Sequence, residues 1–166
     1  MDADRCVGCL SCELACAVAH SISKTLTGAL IEKPRSRVHV EAVGDRPVPM
    51  QCRQCEDAPC VSVCPSGALS RSGPEQPVLF EAARCIGCKM CIQVCPFGSL
   101  ELGPDGKGVL KCDLCIERLE KGETPACVAA CPTRALRFEP VRETAQSKRR
   151  RAAEQQLAAQ DERGKP

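Results

Sequence analysis

The chain has 166 residues, a formal net charge of +2 and a hydrophobic fraction of 43%, but 16 of the residues in that fraction are Cys. Without them roughly a third of the chain remains to pack a core. Trp and Tyr are absent and only Phe80, Phe97 and Phe138 add aromatic bulk, so that core is thin enough to need covalent or metal staples.

No run of about 18 apolar residues occurs, so no membrane span is expected. The small net charge favours neither nucleic acid nor a membrane surface. The stretch from Met1 to Cys6 has no signal-peptide pattern, which predicts a cytoplasmic protein and argues against a secreted disulfide scaffold.

In chain order, the first cysteine group is Cys6-x2-Cys9-x2-Cys12-x3-Cys16, followed by Ala17-Val18-Ala19-His20. That run predicts a helix continuing past Cys16, with His20 at its end, where a donor or cation suits the helix dipole. Arg37-Val38-His39-Val40-Glu41 alternates like an edge strand with His39 outward. Both histidines read as structural, because the cysteines fill every ligand position.

The second group is Cys52-x2-Cys55-x4-Cys60-x3-Cys64, and the third is Cys85-x2-Cys88-x2-Cys91-x3-Cys95. Gly103-Pro104-Asp105-Gly106-Lys107-Gly108 reads as a turn before a strand at Val109-Leu110, not as a phosphate loop. The fourth group is Cys112-x2-Cys115-x11-Cys127-x3-Cys131. Groups two to four leave through one shared pattern: Cys64-Pro65-Ser66-Gly67-Ala68-Leu69, Cys95-Pro96-Phe97-Gly98-Ser99-Leu100 and Cys131-Pro132-Thr133-Arg134-Ala135-Leu136. The proline ends a short helical turn, and the small residue and Leu are expected to start a strand beneath a cluster. From Pro140 the chain becomes a basic tail, 140–166, rich in helix formers and containing Lys148-Arg149-Arg150-Arg151.

Four groups of four cysteines form an internal repeat. Structural zinc is usually gripped by two Cys-x2-Cys pairs. Groups one and three instead place three cysteines in a seven-residue loop with a fourth one helical turn later. Such a loop can wrap three corners of a cubane, and the fourth thiolate reaches a different cluster, as in the bacterial ferredoxin run that Cys85 to Pro96 matches. The chemistry is therefore iron–sulfur. How the groups pair is open from spacing alone. Groups one and two are separated by 35 residues, two and three by 20, and three and four by 16, so sequential and nested pairing are both feasible.

The segments Cys52-Arg53-Gln54-Cys55-Glu56-Asp57-Ala58-Pro59-Cys60, Cys85-Ile86-Gly87-Cys88-Lys89 and Lys111-Cys112-Asp113-Leu114-Cys115, with the long gap before Cys127, resemble the four-cluster electron-transfer subunits of dimethyl-sulfoxide reductase, formate dehydrogenase, formate hydrogenlyase and carbon monoxide dehydrogenase. The compact size is most similar to subunits serving carbon monoxide dehydrogenase, hydrogenase complexes and tungsten-dependent aldehyde oxidoreductases.

The resemblance implies an α+β fold of two ferredoxin-like modules with nested pairing and a C-terminal helical tail. Residues 1–35 and 104–139 would form the first module, 36–103 the second and 140–166 the tail. It implies four [4Fe–4S] clusters. Cluster 1 would be held by Cys6, Cys9, Cys12 and Cys131, and cluster 2 by Cys16, Cys112, Cys115 and Cys127. Cluster 3 would be held by Cys52, Cys55, Cys60 and Cys95, and cluster 4 by Cys64, Cys85, Cys88 and Cys91.

No catalytic constellation or nucleotide fingerprint accompanies the cysteines. The expected role is therefore non-catalytic: relaying single electrons between a larger catalytic oxidoreductase subunit and an acceptor. The alternative is an iron–sulfur redox-sensing or assembly protein. Arg5, Arg53, Arg84, Lys89 and Lys111 flank ligands and could raise cluster potentials; Arg84 and Lys89 are the leading candidates. The tail suggests a docking arm or a solvated segment, and a row of clusters suggests head-to-tail self-association through it. No nucleic-acid partner is expected.

Overall fold

A computed structural model describes residues 1–139 apart from 75 and 105, together with 145, 146, 149, 150, 152–154, 156 and 157. The chain divides into two units, Met1–Leu136 and Arg137–Pro166. Among the described residues no helix is long and apolar enough to cross a membrane.

The first unit opens with a 3-10 turn at Ala3–Arg5 and helix α1, Ser11–Ala19. As expected, α1 runs on past Cys16, because no proline follows that cysteine. A short helix α2, Leu26–Glu32, was not anticipated, although it carries a helix-start signal: the Thr25 hydroxyl accepts the Gly28 N–H at 3.1 Å, as N-cap threonines do. The Glu32 carboxylate in turn accepts the N–H groups of Ile22 and Ser23.

Strands β1, Val38–Val43, and β2, Arg46–Gln51, form an antiparallel hairpin in which Val38 faces Gln51 and Val43 faces Arg46. Pro47 and Pro49 interrupt β2's donors, which a two-stranded ribbon tolerates because its outer edge needs no partner. His39 lies in β1 as expected, but its ring is engaged: Nε2 stands 2.8 Å from Glu101 Oε1.

Helix α3, Pro59–Ser62, leads to β3, Leu69–Ser70, which pairs with β4, Leu79–Phe80. Helix α4, Met90–Val94, leads to β5, Leu100–Leu102, which pairs with β6, Val109–Lys111. The Gly103–Gly108 segment is the turn joining β5 to β6, closed by the Gly103 N–H on the Gly108 carbonyl at 2.8 Å. Helices α5, Ile116–Leu119, and α6, Ala126–Ala129, complete the unit.

The three proline exits share one geometry. Gly67, Gly98 and Arg134 occupy the same offset, with φ of 65°, 57° and 54°. Each donates its N–H to the carbonyl of the cysteine three residues earlier, Cys64, Cys95 or Cys131. This left-handed step turns the chain so that Leu69, Leu100 and Leu136 drop into the interior at 2, 3 and 3% exposure. Strands follow at Leu69 and Leu100 but not at Leu136. There the Ala135 carbonyl accepts the Asp2 N–H at 2.7 Å, and no ladder continues from that bond among the described residues.

Helix α1 packs against α6, and α3 against α4. Two cores result, both built partly from cysteine. One gathers Ala58, Cys60, Leu69, Val78, Cys91, Leu100 and Val109. The other gathers Cys12, Cys16, Val38 and Leu136, with Val40, Cys127, Val128 and Cys131 against it. In the second unit the described residues between 145 and 157 are helical, and Arg150 Nε lies 3.1 Å from Glu154. The remainder of the expected 140–166 tail helix lies outside the described residues.

Candidate metal centres

Each cysteine loop turns through left-handed backbone, which lets three closely spaced thiols converge instead of alternating sides. Gly8 and Gly87 have φ of 68° and 72°, Leu10 and Lys89 58° and 62°, Gln54 50°, and Leu114 and Cys115 58° and 53°. The two loop glycines are needed for space as well. A Cβ on Gly8 would come within 3.3 Å of Pro47 Cβ, and one on Gly87 within 3.2 Å of the Lys107 carbonyl oxygen.

Cys52, Cys55, Cys60 and Cys95 line one small cavity, with Gln54, Val78, Phe97 and Lys111 in its wall. A second is lined by Cys64, Cys85, Cys88 and Cys91, with Leu69, Phe80, Lys89 and Val109. In both, three thiols come from one motif and the fourth from another.

The remaining cysteines act on one another electrostatically. Burial pushes the Cys127 thiol up to about 12, and the neighbouring Cys112, Cys16 and Cys115 add to the rise. Burial likewise pushes Cys112 up to about 12, with Cys52 and Cys16 contributing. Cys131 bears on Cys9 and Cys12 in the same sense.

Three polar arrangements support these sulfurs. The Cys16 thiol is raised by burial, but hydrogen bonds from His20, the Arg37 N–H and Ser36 outweigh this and bring it below its ordinary value. His20 Nδ1 lies 2.7 Å from the Cys16 carbonyl and 3.6 Å from its Sγ, while Nε2 lies 3.2 Å from Asp113 Oδ1. The Arg37 guanidinium donates to the other Asp113 oxygen at 2.7 Å. Burial alone would lower the His20 pKa, yet Asp113 and Cys16 raise it to about 9. Burial opposes ionisation of Asp113, but His20 and Arg37 hold the carboxyl well below the usual carboxylate range. His20, Asp113 and Cys115 lie within metal-binding reach of one another, but the carboxylate is already committed to His20, Arg37 and the Cys115 N–H.

Arg71 clamps the second loop by donating to the carbonyls of Gln54, Cys55 and Glu56. Lys111 Nζ donates to the carbonyls of Val78 at 2.7 Å and Cys112 at 2.8 Å. Gln54 spans the same residues, its Nε2 donating to the Cys112 carbonyl and its Oε1 accepting the Val78 N–H.

The cations singled out from sequence are placed differently from one another. Arg84 is exposed and pairs with Glu81 at 2.9 Å, and Lys89 is exposed on the rim of the second cavity. Arg53 stands over the Phe97 ring at 5.8 Å. Lys111 is 4% exposed. Its adjacency to Cys112 is visible in the sequence, but its burial is not. Nor are the roles of Gln54 and Arg71, which contribute to the centres without being ligands.

These residues fit an iron–sulfur group. Closely spaced thiolates repel one another, as where Cys112, Cys16 and Cys115 add to the rise at Cys127. A multiply charged metal core reverses that penalty and holds the sulfurs as thiolates. Backbone N–H groups aimed at sulfur add to the fit: Arg37 on Cys16 at 3.3 Å, Ser99 on Cys95 at 3.5 Å and Leu114 on Cys112 at 3.5 Å.

Residues 45–141 match the family described as a 4Fe-4S dicluster domain, and residues 3–19 match a 4Fe-4S binding domain. The chain is 44% identical over 149 residues to an iron-sulfur protein of Rhodospirillum rubrum, covering 81% of this chain and 77% of that one. It is 43% identical over 150 residues to the electron transport protein HydN of Escherichia coli, covering 81% and 83%. To the thiosulfate reductase electron transfer subunit PhsB of Salmonella typhi it is 38% identical over 139 residues, covering 82% and 72%.

Proposed function

Since the chain belongs to the 4Fe-4S dicluster family of iron–sulfur electron-transfer subunits, we propose that it relays single electrons through four [4Fe–4S] clusters between a larger catalytic oxidoreductase subunit and an acceptor. The observation that carries this is the pair of cavities lined by Cys52, Cys55, Cys60 and Cys95 and by Cys64, Cys85, Cys88 and Cys91. Each takes three ligands from one motif and one from the other, which is the ligand exchange expected of two-cluster ferredoxins.

By the same logic Cys6, Cys9, Cys12 and Cys131 hold one further cluster, and Cys16, Cys112, Cys115 and Cys127 another. The packing of α1 on α6 and of α3 on α4 supports nested modules. Residues 1–35 with 104–139 form one module in this reading and 36–103 the other. Val38 and Val40 of β1 also pack in the core of Cys12 and Cys16, and Val109 of β6 in that of Cys60 and Cys91.

When bound, the clusters supply one-electron carriers; the protein's part is to hold, insulate and poise them. The left-handed loops aim the thiolates. Leu69, Leu100 and Leu136 keep water from beneath them. The His20–Asp113–Arg37 chain and Lys111 fix charge close to specific ligands. A catalytic partner is inferred from relatives named as reductase electron transfer subunits.

Anaerobic purification followed by iron and sulfide analysis tests this. About sixteen of each per chain, four per cubane, are expected, together with co-purification of the catalytic partner when both are expressed. Stoichiometric zinc, or iron sufficient for only one or two clusters, would overturn the reading.

A further inference from the structure

Lys111 is the one charged side chain with under a tenth of its surface exposed among the described residues. A buried ammonium normally requires a carboxylate, because desolvating a charge costs more than neutral hydrogen bonds return. None of the described residues' carboxylates pairs with it, and its partners are the Val78 and Cys112 carbonyls. Hydrogen bonding alone does not account for the charge, because a neutral donor could serve two carbonyls.

The groups it faces that can carry negative charge are cysteine sulfurs. Lys111 lines the cavity of Cys52, Cys55, Cys60 and Cys95; burial raises the Cys60 thiol, and the Lys111 charge works against that rise. Its neighbour Cys112 is electrostatically coupled to Cys52 across the two cysteine sets. Gln54 closes a ring with the same partners. It follows Arg53 in the loop between Cys52 and Cys55, donates to the Cys112 carbonyl and receives the Val78 N–H. One ring of hydrogen bonds therefore ties the second cysteine loop to the fourth, with a positive charge at its centre.

We propose that Lys111 is a positioning residue for electron transfer. Its buried ammonium raises the potential of the cluster held by Cys52, Cys55, Cys60 and Cys95, and with Gln54 it fixes that cluster's approach to the set around Cys112. A fixed cation stabilises the reduced state, which carries one more negative charge, more than the oxidised state. The inference rests on the four-cluster reading above.

The test is an anaerobic potentiometric titration of the intact iron-loaded chain, followed by EPR, for wild type, Lys111→Met and Lys111→Gln. Lys111→Gln keeps a donor for the carbonyls without the charge. The expected result is one reduction step moving to more negative potential in both variants, with iron content unchanged. At the wild-type midpoint the reduced-to-oxidised ratio of that cluster falls about tenfold, equivalent to about 59 mV for one electron. Unmoved steps in an iron-replete Lys111→Gln chain would overturn the inference, as would loss of iron in both variants, since that makes Lys111 a folding residue only. Wild type carrying fewer than four clusters would instead overturn the underlying reading.

Discussion

His20 and Asp113 lie 93 residues apart in the chain and meet at 3.2 Å, imidazole nitrogen to carboxylate oxygen. The contact ties the end of α1, which carries Cys16, to the loop between Cys112 and Cys115. Arg37 holds the same carboxylate from a third segment, just before β1. Because these side chains are no more than about a quarter exposed, removing the acid leaves two donors poorly solvated. Asp113→Asn is expected to cost about 3 kcal/mol, read as an earlier midpoint for loss of cluster absorbance in anaerobic guanidinium titration.

Gly87→Ala meets two obstacles at once, a φ of 72° and a backbone carbonyl at 3.2 Å. Gly8→Ala meets the first obstacle but only the Pro47 side chain as the second. A left-handed non-glycine residue costs about 1–2 kcal/mol, and backbone yields less than a proline ring. Iron analysis should therefore show Gly87→Ala losing more iron than Gly8→Ala.

Arg134 holds at φ 54° the position that Gly67 and Gly98 hold in the other two exits. Arg134→Gly relieves that strain while loosening the unfolded chain, so a net gain of up to about 1 kcal/mol is expected. Thermal unfolding of the iron-loaded protein would register it as a higher midpoint. A lower midpoint would mean that the arginine side chain makes a compensating contribution.

Both cores of the first unit contain cysteine sulfurs as members. Stripping iron anaerobically with a chelator and oxidant leaves those sulfurs as buried thiols without a centre to hold them together. The stripped chain is expected to bind a hydrophobic dye and lose its cooperative transition. A sharp calorimetric peak in the iron-free, fully reduced protein would contradict this.

Arg84 and Lys89 provide a contrast with Lys111. The Arg84 guanidinium is 61% exposed and already paired with Glu81, so water and the carboxylate screen its field. Arg84→Gln is expected to leave all reduction midpoints essentially in place. Lys89 lines the cavity of Cys64, Cys85, Cys88 and Cys91 from its exposed rim, so Lys89→Met should move one midpoint less than Lys111→Met does.

What could be read from the residues was whatever is local. Spacing identifies the thiol loops, and the Cys-Pro-x-x-small-Leu pattern identifies the exits, because both depend on backbone geometry within a few residues. The strand expected at Leu136 fails because Asp2, more than a hundred positions away, takes the Ala135 carbonyl. Helix α2 is not legible in the sequence although Thr25 caps it, since one capping residue beside Ser and Lys is a weak signal without periodicity. The partner of His39 and the burial of Lys111 depend on Glu101, Val78 and Gln54, and no local pattern brings those residues together.

Of all the cysteines, only Cys9 and Cys88 are exposed. They occupy matching places in their loops, beside Val7 and Leu10 in one and Ile86 and Met90 in the other, each of these at least 43% exposed. The first and third cysteine loops thus each present one sulfur at the surface, whereas Cys16, Cys60 and Cys115 are buried. A partner subunit seated over either corner would cover the exposed sulfur there and bring its own redox centre nearest to that loop.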